Sequence, residues 1–163
     1  MIKKKISIAL QGGGAHGAFT WGALDRLLDD PTLEIEAVSG TSAGGLNGAV
    51  LVDGLKTGGR PRAKRKLEEL WRRIAKAGDS VFKPGRAVFP WSYGWHSDWS
   101  PYGIWLEALS LVWSPYDNPA YRNVLEDVIC AVIPDFAALN DRTPPRLFVC
   151  ATNVKTTERK VFE

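Results

Sequence analysis

The sequence predicts one α/β domain, residues 1–163, with a three-layer α/β/α architecture and a mainly parallel central sheet. Short apolar segments typical of buried strands, at Ile6–Leu10, Glu34–Val38 and Arg146–Thr152, are separated by stretches with helical spacing. Strands that alternate with helices favour a parallel sheet covered by helices. The 163 residues, 45% apolar and 24% charged, fit one ordinary globular domain.

The first half of the chain contains two of these strands, each followed by a glycine-rich turn and a helix. After Ile6–Leu10, a helical stretch runs to about Asp30, and Pro31 marks its end. The inward residues of this stretch are expected to be Trp21, Leu24, Leu27 and Leu28. The helix after Glu34–Val38, Ala43 to about Leu55, is small or apolar all round, which indicates burial in the centre of the domain.

The remaining elements are predicted by periodicity and by breaker residues. A loop at Thr57–Pro61 precedes a third helix, Arg62–Lys76, whose apolar face is formed by Leu67, Leu70, Trp71 and Ile74. Gly78–Tyr102 shows no clear period, and Tyr102–Trp113 is expected to form a short helix. Asn118-Pro119 is typical of a helix start. This helix should turn a set of apolar residues inward: Tyr121, Val124, Leu125, Val128, Ile129 and Val132. The chain closes with the strand Arg146–Thr152 and a hairpin arm, Val154–Glu163.

Composition excludes several classes of protein. A net charge of +3 is too small to indicate nucleic-acid binding. With two cysteines and two histidines, neither a disulfide scaffold nor a Cys₄ or Cys₂His₂ zinc module is available, and we expect no metal and no cofactor. Cys130 and Cys150, on a predicted helix and strand, are expected to be buried structural thiols.

The N-terminus does not match a targeting or membrane segment. No run of about 18 apolar residues occurs. The apolar stretch of Met1–Leu10 is too short for a signal peptide, and glycines follow it where a cleavage site would stand. We therefore expect a cytoplasmic protein with reduced thiols, or one peripheral to a membrane.

The segment Gly40-Thr41-Ser42-Ala43-Gly44 fits the G-x-S-x-G nucleophile elbow. Glycines at Gly40 and Gly44 permit the strained turn that raises the hydroxyl of Ser42 over a helix N-terminus. A predicted strand precedes the motif and a predicted buried helix follows it, as the elbow requires. The alternative is an ordinary small-residue turn between strand and helix.

A second glycine-rich turn, Gly12-Gly13-Gly14, follows the first strand and opens the first helix. Its unshielded backbone N–H groups are suited to an oxyanion hole, and in a parallel sheet this turn and Ser42 emerge at the same edge. Gly12, Gly14 and Gly17 also satisfy G-x-G-x-x-G, which suggests a nucleotide- or lipid-binding domain without hydrolysis. Dinucleotide binding, however, expects an acidic residue at the end of the second strand, whereas Glu34 and Glu36 lie at its beginning.

The base that would activate Ser42 is not evident from the motifs. His96 is the one histidine after the serine, and a lid or surface role is the alternative for it. His16, beside the glycine turn, is open to a capping role or to a part in binding.

Together, the segment Gln11–Phe19 and the elbow Gly40–Gly44 resemble the patatin-like phospholipase family, and Trp71, Asn118-Pro119 and Phe148–Thr156 extend the resemblance along most of the chain. The resemblance implies a lipid acyl hydrolase, of the phospholipase A, lipase or esterase type, acting on lipid or phospholipid esters without a metal. It implies that Ser42 is the nucleophile of a Ser–Asp dyad and that amides of Gly12, Gly13 and Gly14 bind the oxyanion.

The aspartate of that dyad belongs, by the same resemblance, to a downstream D-G-G or D-G-A motif. The one Asp-Gly pair here is Asp53-Gly54, about 16 Å of helix rise beyond Ser42. We therefore expect the domain to be incomplete at its C-terminal end, with the aspartate on a following segment or a second chain.

Two segments are candidates for contact with lipid. Arg60–Lys76 holds eight Lys and Arg residues and suits an anionic membrane surface, or is simply a solvated helix face. Trp91–Trp113 holds five of the seven tryptophans and suits an aromatic lid or an acyl groove, with ordinary packing as the alternative.

Overall fold

Four strands form a single mixed sheet and follow one another across it in chain order. They are β1 (Lys4–Leu10), β2 (Leu33–Gly40), β3 (Arg146–Thr152) and β4 (Arg159–Phe162). β1, β2 and β3 pair in parallel, and β4 pairs antiparallel to β3. This computed structural model describes residues 3–88, 124–153 and 155–163, and their side chains except those of 79–88 and 124. It confirms the α/β fold with a mainly parallel sheet.

The helices occupy the connections between the parallel strands. A 3₁₀ helix, Gly14–His16, and α1, Gly17–Leu27, link β1 to β2. α2, Ala43–Val88, follows β2, and α3 (Val124–Val132) and α4 (Ala137–Asn140) precede β3.

The described residues fall into two compact units. The first comprises residues 3–72, 128–153 and 155–163, and it contains the sheet, α1 and the first part of α2. The second holds residues 73–88 and 124–127 of the described chain, which are helical. The active-site region described below lies within the first unit.

The core of the first unit lies between the sheet and the start of α2. Gly48 approaches Val38 and Leu147 so closely that an added Cβ would lie 3.2 and 3.3 Å from their methyl groups. Val50, Leu51 and Val52 are completely buried. The predicted central position of this apolar helix is confirmed, because its small residues allow close approach to the strands.

α2 doubles back on itself at a glycine pair. Gly58 and Gly59 have non-helical backbone angles, and Gly59 has a φ of +67°. We call residues 43–57 the first arm of α2 and residues 60–72 the second arm. At Gly54 the arms are in backbone contact, since an added Cβ would lie 2.4 Å from the Cα of Ala63. The predicted loop is thus a tight turn, and the helix continues to Val88, beyond the Lys76 that the periodicity indicated.

Several side chains expected to be buried are not. Leu27 is 37% exposed and Leu125 is 51% exposed. Cys130 is exposed and Cys150 half-buried, so the expectation of two buried thiols was wrong. Cys130 lies on the face of α3 opposite Val128 and Val132, because two residues along a helix turn the side chain through about 200°. Cys150 lies on the opposite face of the sheet from the first arm.

The predicted last strand and hairpin agree with the structure. β3 has the predicted bounds, and β4 forms the predicted hairpin with it. The other predicted features lie outside the described residues: the Tyr102–Trp113 helix, the Asn118-Pro119 start, His96 and the tryptophans of Trp91–Trp113.

Candidate active site

Ser42 occupies a tight turn between β2 and α2. Its φ is +54°, a left-handed conformation that non-glycine residues seldom adopt. β2 ends at Gly40 and α2 begins at Ala43, so the serine stands at the carboxyl end of a strand and at the N-terminus of a helix. Its side chain is exposed, and no hydrogen bond to its hydroxyl exists among the described residues. This is the strand–turn–helix setting of a nucleophile elbow.

The two flanking glycines are required by packing. A Cβ at Gly40 would lie 2.3 Å from the carbonyl oxygen of Gly44. A Cβ at Gly44 would lie 2.3 Å from the carbonyl oxygen of Leu10, at the end of β1. Because backbone cannot move aside as a side chain can, no larger residue fits at either position. The close approach also joins the elbow to the turn that follows β1.

The glycine turn after β1 lies directly against Ser42. A Cβ at Gly12 would lie 3.2 Å from the Cβ of Ser42 and 3.0 Å from the carbonyl oxygen of Thr41. The amides of Gly12, Gly13 and Gly14 have no hydrogen-bond acceptor among the described residues. The structure therefore brings together the two turns that the sequence singled out, with three unused donors beside one exposed hydroxyl.

His16 interacts with the same turn from its far side. Its Nδ1 lies 3.1 Å from the carbonyl oxygen of Gly13, and a carbonyl can only accept, so this nitrogen donates the hydrogen bond. The backbone N–H of His16 donates to the same oxygen over 3.1 Å. Of the two roles left open for His16, this geometry favours capping of the glycine turn.

An open cavity of about 390 Å³ lies at the carboxyl ends of the strands. It is lined by the ends of β1 and β2 with their turns, and by residues of β3 and β4: Ala9, Leu10, Gln11, Ser39, Gly40, Thr41, Phe148, Cys150 and Val161. Thr41 is the neighbour of Ser42 in the chain, so the cavity adjoins the elbow. Its volume is within the range of small-molecule sites.

A buried polar network behind the elbow was not identified from the sequence. Asn47 is completely buried, its Nδ2 donates to the carbonyl oxygen of Gly17 over 3.0 Å, and its Oδ1 accepts from Nε1 of Trp71 over 2.9 Å. Trp71 was predicted only as an apolar residue. The available signal was one amide side chain inside an otherwise small and apolar helix, since buried polar groups require partners.

The described carboxylates are committed elsewhere. Asp53 is 2% exposed and forms a hydrogen-bonded ion pair with Lys66 on the second arm. Glu36 pairs with Lys5 on β1, 2.6 Å away. The end of β2, where a dinucleotide site would carry an acidic residue, is Gly40. No cluster of three metal-ligating side chains occurs in residues 3–88, 124–153 and 155–163.

The cations of Arg60–Lys76 are largely used inside the protein. Arg60 donates to the carbonyl oxygens of Leu28, Asp30 and Leu33, which follow α1 or begin β2. Lys64 pairs with Asp25 and Asp29 of α1 at 3.2 and 2.6 Å. These contacts give Arg60 and Lys64 a structural role within the protein.

Comparisons with known proteins agree with this geometry. A family model described as Patatin-like phospholipase matches residues 8–163, which include both turns, α2, the last three residues of β1 and the whole of β2, β3 and β4. No curated protein matched the chain, and no solved structure did. Among the described helices, none combines the length and apolar content needed to cross a bilayer. The match spans nearly the whole chain, and the chain therefore belongs to the patatin-like phospholipase family, a family of lipid acyl hydrolases.

Proposed function

We propose that this protein hydrolyses carboxylic ester bonds of lipids through a serine nucleophile, Ser42. Membership of the family supports a lipid acyl substrate. The observation that carries the assignment to Ser42 is its positive φ of 54° at the junction of β2 and α2. A strained, exposed serine at such a junction serves no packing purpose, whereas a nucleophile needs that exposure.

In the proposed reaction, Oγ of Ser42 bonds to the acyl carbonyl carbon as the hydroxyl proton passes to a base. The carbonyl oxygen becomes an oxyanion and accepts hydrogen bonds from the amides of Gly12, Gly13 and Gly14. Collapse of the tetrahedral intermediate breaks the ester C–O bond, and the leaving alcohol takes the proton. Water then attacks the acyl-enzyme by the same route and releases the fatty acid.

The unused amides support the oxyanion role of the glycine turn. Gly12 is half-buried, Gly13 and Gly14 are exposed, and none of their N–H groups has an acceptor among the described residues, so all three are open to a bound oxygen near the proposed nucleophile. The N-terminus of α2 adds positive potential at the same point. We also assign Gly17 to this site, because it lies where the segment with the glycine turn ends and α1 begins.

We place the acyl chain in the cavity beside the elbow. Phe148 and Val161 give it an apolar lining, and Leu10 and Thr41 connect it to the two turns. An acyl chain extending from a carbonyl at Ser42 would lie over the carboxyl ends of the strands.

The base is proposed to be an aspartate outside these 163 residues, on a following segment or a second chain. Two features support this. No Asp-Gly-Gly or Asp-Gly-Ala motif occurs in the sequence. The Asp53 carboxylate is held by Lys66, and no described carboxylate hydrogen-bonds the Ser42 hydroxyl.

Hydrolysis of two substrates, a short aryl ester and phospholipid vesicles, tests the proposal. We expect fatty acid release that Ser42→Ala lowers by about 10³ or more, because the nucleophile is lost. Ser7→Ala, which alters an exposed serine on β1, is the matched control and should retain the wild-type rate. Equal rates in Ser42→Ala and wild type would refute the assignment of Ser42 as the nucleophile. Binding of nucleotide or lipid by the folded chain without any hydrolysis would support a binding domain instead.

A further inference from the structure

The side chain of Asn47 connects three separate parts of the active-site region. It lies on the second turn of α2, five residues after Ser42, and none of its surface is exposed. Its amide nitrogen donates to the carbonyl oxygen of Gly17 (3.0 Å), and its amide oxygen accepts from the indole N–H of Trp71 (2.9 Å). Donor and acceptor are both used, and each bond is long-range in sequence.

Gly17 is the residue that ends the glycine turn. Residues 12–16 form that turn and the short 3₁₀ helix, and Gly17 begins α1. A Cβ on Gly17 would lie 2.7 Å from the indole ring of Trp71 and 2.8 Å from the Cβ of Ala43. The end of the turn at Gly17 therefore packs against Ala43, the first residue of α2, and against Trp71 of the second arm. Its near end is seated on α2 through the contact of Gly44 with Leu10.

We infer that Asn47 is a positioning residue for catalysis: it fixes the glycine turn, and with it the oxyanion donors, relative to Ser42. This inference rests on the proposed function. Gly44 sets the start of the turn by backbone contact, and Asn47 sets its end by a hydrogen bond. The donors at Gly12, Gly13 and Gly14 lie between these two attachments, and rates depend on their placement to within about 0.5 Å.

Asparagine suits this position because one of its two buried neighbours is a hydrogen-bond acceptor and the other is a hydrogen-bond donor. The carbonyl of Gly17 needs a donor and the N–H of Trp71 needs an acceptor, so one primary amide satisfies both. Aspartate would still accept from Trp71 but would present a carboxylate oxygen to the Gly17 carbonyl. Leucine would leave both groups without partners.

The test compares Asn47→Asp with Asp53→Asn, a matched control that alters another buried polar contact of the first arm. Saturation kinetics of fluorophosphonate labelling at Ser42 separates the maximal rate from the half-saturating probe concentration. We expect Asn47→Asp to lower the maximal rate by about 10–10²-fold with little change in half-saturation, because a misplacement near 1 Å has effects of that size. Asp53→Asn should keep the wild-type maximal rate even if it lowers the unfolding temperature.

Hydrogen exchange of the hydrogen-bonded backbone amides of His16 and Gly17, at the end of the turn, supplies a readout that does not depend on activity. Exchange there should rise by roughly tenfold in Asn47→Asp and stay unchanged in β1, because one attachment of the turn is lost. Absence of labelling in the wild type with the aspartate-bearing segment present would refute the proposed function, and the exchange data would still decide whether Asn47 holds the turn.

Trp71→Phe is a second test variant, to be used if Asn47→Asp no longer unfolds cooperatively. It removes the indole donor that orients the Asn47 amide, so a loss of about 3–10-fold in maximal rate is expected, with faster exchange at the amides of His16 and Gly17. A wild-type rate and wild-type exchange in a folded Asn47→Asp or Trp71→Phe protein would overturn the inference. Equal rate losses in Asn47→Asp and Asp53→Asn would also overturn it, since the effect would then be general destabilisation.

Discussion

Ser42 and Gly13 are the two residues whose backbone angles set the site. The positive φ of Ser42 is maintained because Gly40, Gly44 and the end of β1 are in backbone contact around it. Gly13 has a φ of +158°, outside the range that side chains with a Cβ readily adopt. In the proposed function, these two conformations direct the Ser42 hydroxyl and the amides of the turn toward the reacting carbonyl.

Replacement of Gly13 by valine should inactivate the enzyme without unfolding it. The branched side chain would force the turn away from a φ of +158° and turn the Gly13 and Gly14 amides away from the oxyanion. We expect a loss of about 10²–10³ in rate, the effect of removing oxyanion donors. Ester hydrolysis is the measurement, and Gly22→Val, at an open position on α1, is the control. Near-normal turnover in a folded Gly13→Val protein would remove this turn from the mechanism.

At this scale the sequence predicts motifs better than it predicts their attachments. Gly12–Gly14 and Ser42 could be assigned because a turn of this kind needs glycine at fixed positions. The Asn47 bonds to Gly17 and Trp71 could not, because they join residues 30 and 24 positions apart and depend on how α1 and the two arms pack. The exposure of Leu27 and Cys130 also depends on which faces their helices bury.

The element that organises the fold is the reversal of α2 at Gly58 and Gly59. The first arm begins at the elbow and packs on the sheet. The second arm packs against the first and contributes Trp71 and Lys66 to the contact. The closest crossing, at Gly54 and Ala63, involves backbone on both sides. The turn was predictable from its glycines, whereas the backbone contact of the arms was not, because it depends on their angle and separation.

Replacement of Gly54 by alanine should destabilise the protein, although alanine favours helices. The new methyl would lie 2.4 Å from the Cα of Ala63, so the arms would have to separate. Overpacking of this kind costs about 1–3 kcal/mol. Urea unfolding should therefore show a lower midpoint for Gly54→Ala. The same change at Gly22, where space is open on α1, should be neutral or stabilise by up to about 1 kcal/mol. A higher urea midpoint in both Gly54→Ala and Gly22→Ala would contradict the close contact between the two arms.

The contact between α1 and the second arm should depend on pH through Lys64. A hydrogen bond from Lys64 lowers the pKa of Asp29 below its usual 3.8, and the same hydrogen bond raises the pKa of Lys64 above 10.5. The depressed carboxyl stabilises the fold above about pH 4 and loses its effect as pH falls through the lowered value. The raised ammonium stabilises below pH 10.5 and loses its effect as pH rises beyond that.

Substitution of Lys64 by methionine should accordingly lower thermal stability slightly at pH 7 and leave it unchanged near pH 2. The effect is small because the pair is partly solvated. Thermal melts of Lys64→Met and wild type across this range are the measurement, with Arg72→Met, which breaks the exposed pair with Glu68, as a control far from α1. A difference that persisted undiminished at pH 2 would show that Lys64 acts by packing alone.

For the molecule as a whole, the sheet assembles the site from distant parts of the chain. Residues from β1, β2, β3 and β4 line the cavity, and the two turns carry the proposed nucleophile and the proposed donors. The fold class followed from the alternation of strands and helices, because parallel strands require crossovers. The missing partner in this assembly is the base, which we have placed outside these 163 residues.

This placement predicts that the 163-residue chain is a slow esterase. In the proposed mechanism the chain holds Ser42 and the oxyanion donors, whereas proton transfer from Ser42 lacks its carboxylate. Addition of the aspartate-bearing segment should raise turnover of a short aryl ester by about 10² or more, the usual contribution of a positioned base. Replacement of that aspartate by asparagine should cancel the gain. Efficient, Ser42-dependent turnover by the 163-residue chain alone would contradict the placement and direct attention to His96.

The most direct measurement of the central claim is the position of a covalent adduct. A fluorophosphonate reacts with an activated serine only where the hydroxyl and the oxyanion donors are aligned. In protein supplied with the aspartate-bearing segment, peptide mass spectrometry after labelling should locate the adduct on Ser42. Ser42→Ala should remain unlabelled while Ser7→Ala labels at the wild-type rate. An adduct on another residue, or labelling that survives Ser42→Ala, would contradict the account.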